Sequence, residues 1–423
     1  MELTARKRYR LLIFTVLTFR LLAGGLFIFS GFVKAVDLWG FIFKIDEYFA
    51  IVNFSAPRSV SLAFALIIAG FEFIGGVLLL SGSYRRWSVI VMTALMAGFD
   101  ILTLYLWITD PIPDCGCFGD AWVLSNGATF FKNVILTAML VFLLFYNKKV
   151  RYALFKPAVQ WIAFAASFFY IVCVAMVCYN VQPQIDFRPY PVGRQLIADS
   201  DDIENIKYTY TDGKTQRTFT ADNLPDEGWE FVSVIEESPK SGNDIFSVYD
   251  GDEDVSDEVF SKVPRRFLLV IPELNRADIS FSHFVNDLFR LCKKNNIKFS
   301  ALIATNDAGL ERWQDYSLAA YDCFTAEDTS LKELARGNMS LVYLENGVIK
   351  WKSTVSSVYD TDIDKLEKKY GADFAMKMAP VPISIERMTF WYIIVLAILT
   401  MSKAIINFIY LLRAKSKNIK IKK

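Results

Sequence analysis

Two cysteines one residue apart, Cys115 and Cys117, stand in the stretch Pro111-Ile112-Pro113-Asp114-Cys115-Gly116-Cys117-Phe118-Gly119-Asp120, between two long apolar runs. Thiols at this spacing can cycle between dithiol and disulfide, form a permanent disulfide, or ligate a metal together with Asp114 and Asp120. A disulfide across one residue closes a small ring, which strains the bond and makes it oxidising and exchangeable. The two aspartates work the other way, because a nearby carboxylate disfavours a thiolate. Residue type and spacing leave all three chemistries open.

Other groups could join them. Cys173 and Cys178 lie five residues apart on a later apolar run, so they project in different directions. Cys178 could act as a resolving thiol for the loop pair or serve as a small packing residue. Cys292 and Cys323 read as core positions of a soluble segment. Charges inside apolar runs are costly in hydrocarbon and mark functional positions by default. Arg20, Glu72, Asp100 and Lys403 are of this kind. Counting inward from the run ends places Arg20, Glu72 and Lys403 roughly 13 Å deep, with Asp100 about one turn further out. The four are therefore expected to meet in one buried network. It would be a structural clasp, a proton path, or the polar wall of a quinone-like pocket beneath the cysteines. Lys34 and Lys132, at helix ends, could face the cysteine loop or snorkel. His283 is the single histidine, which leaves no His-based triad or multi-His metal site. The run Asp250-Gly251-Asp252-Glu253-Asp254 lacks the register of a calcium loop and reads as a solvated turn.

The elements that must position these groups are mostly membrane helices. The chain has 423 residues, of which 53% are apolar. Six runs reach the roughly 20 residues needed to cross a bilayer: Leu11 to Val33, Ser61 to Ser81, Trp87 to Thr109, Thr129 to Tyr146, Ala158 to Tyr179 and Phe390 to Leu412. Lys and Arg cluster before the first run, between the second and third, between the fourth and fifth, and after the sixth. The positive-inside rule then predicts an inner-membrane protein with both termini cytoplasmic. The cysteine loop and the long segment from about Val181 to Ile385 share the outer, oxidising face. The first run carries Arg20 and no small-residue cleavage site, so it is expected to stay as a helix rather than leave as a signal peptide. The net charge of +1 sums a basic inner face and an acidic outer segment, and no nucleic-acid-binding pattern is present.

Between the first two runs, Ala35 to Phe49 mixes aromatics and charges at helical spacing and should lie flat in the interface, either roofing the bundle near Cys115 and Cys117 or merely connecting. The soluble segment starts with short alternating strands such as Ile206 to Tyr210 and Arg217 to Thr220. From Arg265 buried-type strands alternate with amphipathic helices, in the order β-α-β-α-β-α-β-β, and close in a hairpin turning at Asn346-Gly347. This is the order of a thioredoxin-like domain. The expected division is a four-helix bundle (1–150), a fifth transmembrane helix (151–181), an extracytoplasmic β-rich segment (182–264), a thioredoxin-like domain (265–385), and a sixth transmembrane helix with a basic cytoplasmic tail (386–423).

Arg20, Ser30-Gly31-x-x-Lys34, Glu72 with Gly75-Gly76, the Asp114 to Asp120 run and Phe131-Lys132-Asn133 together resemble the DoxX/MauE membrane family. Asp186-Phe187-Arg188-Pro189-Tyr190 is similar to a type fused to an extracytoplasmic domain in Bacteroidetes. The resemblance implies a bundle like that of vitamin K epoxide reductase. MauE itself is linked to maturation of a disulfide-rich periplasmic enzyme of methylamine use. The soluble segment is similar to TlpA-type thioredoxin-like domains but has no cysteine in Glu273 to Asp278, where the Cys-x-x-Cys would stand, and has Met339 in the place of the cis-proline. The expectation is therefore a membrane thiol-disulfide oxidoreductase or maturation factor acting through Cys115 and Cys117. Arg20, Glu72 and Asp100 would support the pair, a quinone could accept electrons, and an envelope protein would be the client. The rival is a non-enzymatic scaffold whose soluble domain binds an envelope partner, with the pair as a structural disulfide. A transporter is disfavoured by the lack of an inverted repeat.

Overall fold

The computed structural model describes residues 2–150, 152–196, 206–211, 216–220, 230–236, 247–260, 263–380 and 384–401. The chain forms two compact units, Met1–Ile185 with Pro382–Lys423, and Asp186–Val381.

The first unit contains α1 (Glu2–Val36), α2 (Leu38–Ile51), α3 (Arg58–Ser81), α4 (Arg85–Thr109), α5 (Asn126–Tyr146) and α6 (Gln160–Asn180). All but α2 are long and apolar enough to cross a membrane, which makes five such helices among the described residues. This is a multi-pass membrane protein. Residues 385–401 are also helical and pack on α6, where Tyr392 stacks on Tyr170 at 4.3 Å and Thr389 hydrogen-bonds it at 2.7 Å. The rest of the sixth apolar run, Lys403 included, lies outside the described residues.

Small residues set how α1 and α3 meet. They run antiparallel, with the backbone of Gly24 against Gly76 and of Gly31 against Ala69 and Phe73, so close that a Cβ on any of these glycines would collide with the facing backbone. α2 follows α1 after one residue and is capped by Asp37, whose carboxylate accepts from Gly40 N at 3.0 Å. Its apolar side, including Leu38, Phe41, Ile42 and Ile45, is buried against α3 and α6.

The second unit carries a three-stranded antiparallel sheet, β1 (Ile206–Thr211), β2 (Gln216–Thr220) and β3 (Glu230–Glu236), in the order β2-β1-β3. After it come β4 (Val248–Asp250), β5 (Glu253–Asp254), α7 (Ser256–Val259), β6 (Arg266–Ile271), α8 (Ser282–Lys294), β7 (Lys298–Ile303), α9 (Asp307–Ser317), β8 (Asp322–Ala326), α10 (Asp328–Leu334), β9 (Ser340–Glu345) and β10 (Val348–Thr354). They build a seven-stranded sheet, β10-β9-β6-β7-β8-β4-β5, with β6, β7 and β8 parallel and the other pairs antiparallel. All six residues of β6 are buried, as a central strand covered on both faces requires. Phe267, Leu269 and Ile271 face α8, while Leu268 and Val270 face α10. A β-α-β crossover beside an antiparallel hairpin makes this an α/β domain of the thioredoxin-like class.

The strand-helix order expected from Arg265 onward is the observed one, and the hairpin turns at Asn346 and Gly347, both at positive φ. The expected boundary at 264/265 needs correction. β4 pairs with β8, and residues 193–196 run along β10, with Gly193 N donating to Ile349 O at 2.8 Å, so chain before 264 belongs to the same sheet. Pairings between strands far apart in sequence leave no local pattern to read. The Asp250 to Asp254 run is the tight turn between β4 and β5, with Gly251 at φ 59°.

Candidate functional site

The cysteine loop, residues 110–125, is held by the ends of the elements around it. Asn126, at the start of α5, donates to Asp110 Oδ1 and to Ile112 O, each at 2.8 Å. Asp114 pairs with Ser125 in an isolated bridge, and its Oδ1 accepts from Gly116 N at 2.8 Å. Gly116 sits at φ 62°, and a Cβ there would come within 2.8 Å of the Lys44 stem, so both backbone and space demand glycine. The resulting turn brings Cys115 Sγ and Cys117 Sγ to 2.6 Å. Cys115 is buried, at 6% exposure, and Cys117 is half-buried.

Both cysteine carbonyls are gripped by side chains. Tyr48 of α2 donates its hydroxyl to Cys115 O. On α1, Ser30 Oγ and Lys34 Nζ lie 2.7 and 2.5 Å from Cys117 O. Lys34 also forms an ion pair with Glu72 of α3 at 2.7 Å, and Ser30 donates to the same carboxylate oxygen at 2.8 Å. Lys34 and Glu72 are both buried, so each charge depends on the other and on these hydrogen bonds. α2 therefore does roof the loop, since Lys44 adds an ion pair to Asp114 at 3.3 Å. That contact and the Asp114 turn draw the carboxylate toward Gly116 N and Lys44, where a cation offsets its charge.

One sequence expectation changes. Arg20, Glu72 and Asp100 do not meet. Arg20 donates through Nε to Asn147 Oδ1 at 2.7 Å and through Nη1 to Tyr152 O at 2.9 Å, tying down the connection between α5 and α6. Glu72 faces Ser30, ten positions and roughly 15 Å further along α1. Asp100 accepts from Thr137 Oγ1 at 2.6 Å. The physical reason is the register between α1 and α3, which the glycines fix and which counting from the ends of apolar runs misplaces. Gly24 and Gly31 facing Gly76 and Ala69 is the signal that would have found it.

Between Ser30, Glu72, Cys117, Lys132 and Asn133 lies a chamber of about 20 Å³, room for about one water molecule. A larger apolar groove of about 730 Å³ runs between α3, α4 and α6, without the cysteines in its wall. Among the described residues no three His, Cys, Asp or Glu side chains stand close enough to hold an ion. Cys178 packs among Ala35, Val36, Leu38 and Ile42, and no hydrogen bond joins it to either loop cysteine.

Residues 12–146, spanning α1 to α5 with the cysteine loop between, match the family model of the methylamine utilisation protein MauE. The membrane unit is of the MauE type. A curated relative, Protein TlpB of Flavobacterium psychrophilum, is 29% identical over 145 residues, 32% of this chain and 37% of the relative. The MauE-type unit thus carries the cysteine loop and everything that grips it.

The α/β unit shows the opposite arrangement. After β6, where fold analogy places a reactive cysteine pair, residues 274–276 form a short turn, and Glu273 N donates to Asn338 Oδ1 at 2.9 Å, beside buried Met339. Its two thiols, Cys292 and Cys323, are core residues, and burial pushes both up, Cys323 to about 12. Lys352 is buried as well, donating to Asp186 at 2.7 Å, to Tyr190 O at 2.6 Å and to Leu334 O at 3.0 Å. Burial and the Arg188 charge draw its ammonium down to about 7 despite Asp186. Burial also works against the Asp186 carboxylate, but Arg188 and Lys352 outweigh it and hold its pKa below the ordinary range.

Proposed function

We propose that this protein is an inner-membrane component of thiol-disulfide exchange in the cell envelope, with Cys115 and Cys117 as the exchanging pair. Both termini would lie in the cytoplasm, and the α/β unit and the cysteine loop on the periplasmic side, as the distribution of Lys and Arg favours. The observation that carries the reading is the loop itself: two sulfurs held 2.6 Å apart, with both cysteine carbonyls fixed by side chains of α1 and α2.

Chemically, a thiolate of the reduced pair attacks one sulfur of a client disulfide. That bond breaks, a mixed disulfide forms, and the departing client thiolate takes a proton from solvent. The second cysteine loses its proton, attacks the mixed disulfide and releases the second client thiolate. The pair is thereby oxidised by two electrons and the client reduced by two, and the reverse sequence oxidises a client dithiol. Resolution stays within the loop, because Cys178 is packed away among apolar side chains.

The α/β unit, with its thiols buried, would serve to bind the client or an envelope partner. Replacing Cys115 by Ser should change the oxidation state of envelope protein thiols while leaving the protein folded in the membrane. An unchanged thiol population in cells carrying Cys115→Ser contradicts the reading.

A further inference from the structure

The first turn of α5 holds a hydroxyl that nothing uses. Thr129 is fully buried, and its Oγ1 has no hydrogen-bond partner. An orphaned buried hydroxyl is destabilising, so such a group points to an acceptor that is present in another state of the molecule. Thr129 lines one small closed pocket together with Asp114, Cys115, Cys117, Phe118 and Trp122, and Cys115 is the side chain its hydroxyl faces. One turn along α5, Lys132 holds its ammonium 4.1 Å over the ring of Phe118, the residue that follows Cys117. The N-terminal end of a helix adds its own partial positive charge.

We propose that the start of α5, through Thr129 Oγ1 and Lys132, is a cradle for the Cys115 thiolate, which makes Cys115 rather than Cys117 the attacking sulfur. This rests on the exchange reading above and assigns its two cysteines separate parts.

The other groups around Cys115 agree with the assignment. Cys115 Sγ and Cys117 Sγ are in contact, so a Cys115 thiolate has the Cys117 S–H beside it, and Asp114, the carboxylate next to Cys115, is paired with Lys44. Tyr48 spends its hydroxyl proton on Cys115 O and, being buried beside the sulfurs, has its pKa raised, so it stays neutral. Lys34 and Glu72 cancel each other beneath the Cys117 carbonyl. The contact with Cys117 is the first cause that draws Cys115 below the ordinary thiol range, against burial and with Thr129 and Lys132 adding to it. The same contact, with burial, holds Cys117 above the ordinary thiol range although Lys132 and Lys34 pull it down, so the donor that separates the two sulfurs is Thr129.

The test is alkylation of the reduced, full-length protein in native membranes across a pH series, with mass spectrometry reading each cysteine separately. Cys115 should react with a midpoint well below that of Cys117. Thr129→Val, which keeps the shape and removes the donor, should raise the Cys115 midpoint by roughly one to two pH units, and Thr129→Ser should restore it. A purely packing role for Thr129 would not move this profile. An unchanged midpoint in Thr129→Val, or a Cys117 that ionises before Cys115, overturns the cradle. A redox titration on the same membranes separates the two claims: exchange with unaltered acidity sinks the cradle alone. A shifted midpoint in a pair that never exchanges upholds the cradle and sinks the exchange reading.

Discussion

The chain contains two buried lysine-carboxylate pairs that look alike and hold different things. Lys34 with Glu72 spends its remaining hydrogen-bonding capacity on Cys117 O, the carbonyl of a half-buried thiol. Lys352 with Asp186 spends it on Tyr190 O and Leu334 O, two backbone positions with no chemistry near them. A buried ion pair by itself is weak grounds for function, because desolvation offsets most of its attraction. What separates the two is the group at the far end of the ammonium. The first positions a reactive loop, and the second fastens the chain around residues 186–190 to the α/β sheet.

The largest effect expected from this contrast is on stability alone. Asp186→Asn leaves Lys352 and Arg188 buried without their carboxylate and should destabilise the α/β unit by about 3–5 kcal/mol, read as a lower unfolding midpoint. The redox midpoint of the cysteine pair should not move. Its pH dependence has two arms. The folded Asp186 pKa lies below the ordinary value, so its contribution is present at neutral pH and is lost as pH falls through the folded value. The folded Lys352 pKa, about 7, lies below its ordinary value, so from about 7 upward the unfolded chain holds the extra proton and stability rises with pH. Lys352→Met should flatten that rise. A shift in the cysteine midpoint caused by Asp186→Asn would break the distinction between the two clusters.

A smaller effect of the opposite kind is expected from Ser30→Ala. It removes the one hydroxyl proton shared between Glu72 and Cys117 O and the acceptor that Lys34 also uses, at a cost of about 1 kcal/mol. The fold should persist, while the midpoint of the cysteine couple moves by roughly 20 mV. An unmoved midpoint would reduce the Ser30 and Lys34 contacts to packing.

Much of this layout is readable from the sequence, and the parts that are not share one cause. Cys115-Gly116-Cys117 between two apolar runs locates the loop, and strand-helix alternation from Arg265 gives the α/β order, because both are local patterns. Glu72 and Lys34 each stand out as charges in or at the ends of apolar helices, yet their pairing depends on how α1 and α3 slide against each other. Thr129 carries no sequence signal, since a threonine near a helix start is ordinary until its hydroxyl is found buried and unmatched. Lys352, in the closing hairpin, carries no sequence signal either, because the 186–190 segment that supplies its partners Asp186 and Tyr190 is distant in sequence.

The most direct measurement is differential thiol trapping on native membranes during a graded redox titration, with mass spectrometry reading the oxidised fraction of Cys115 and Cys117. The account predicts a single reversible two-electron transition in which both cysteines change together. A pair that stays a disulfide throughout the range in which thiol buffers act would make the loop a permanent staple and contradict the assignment of exchange to it.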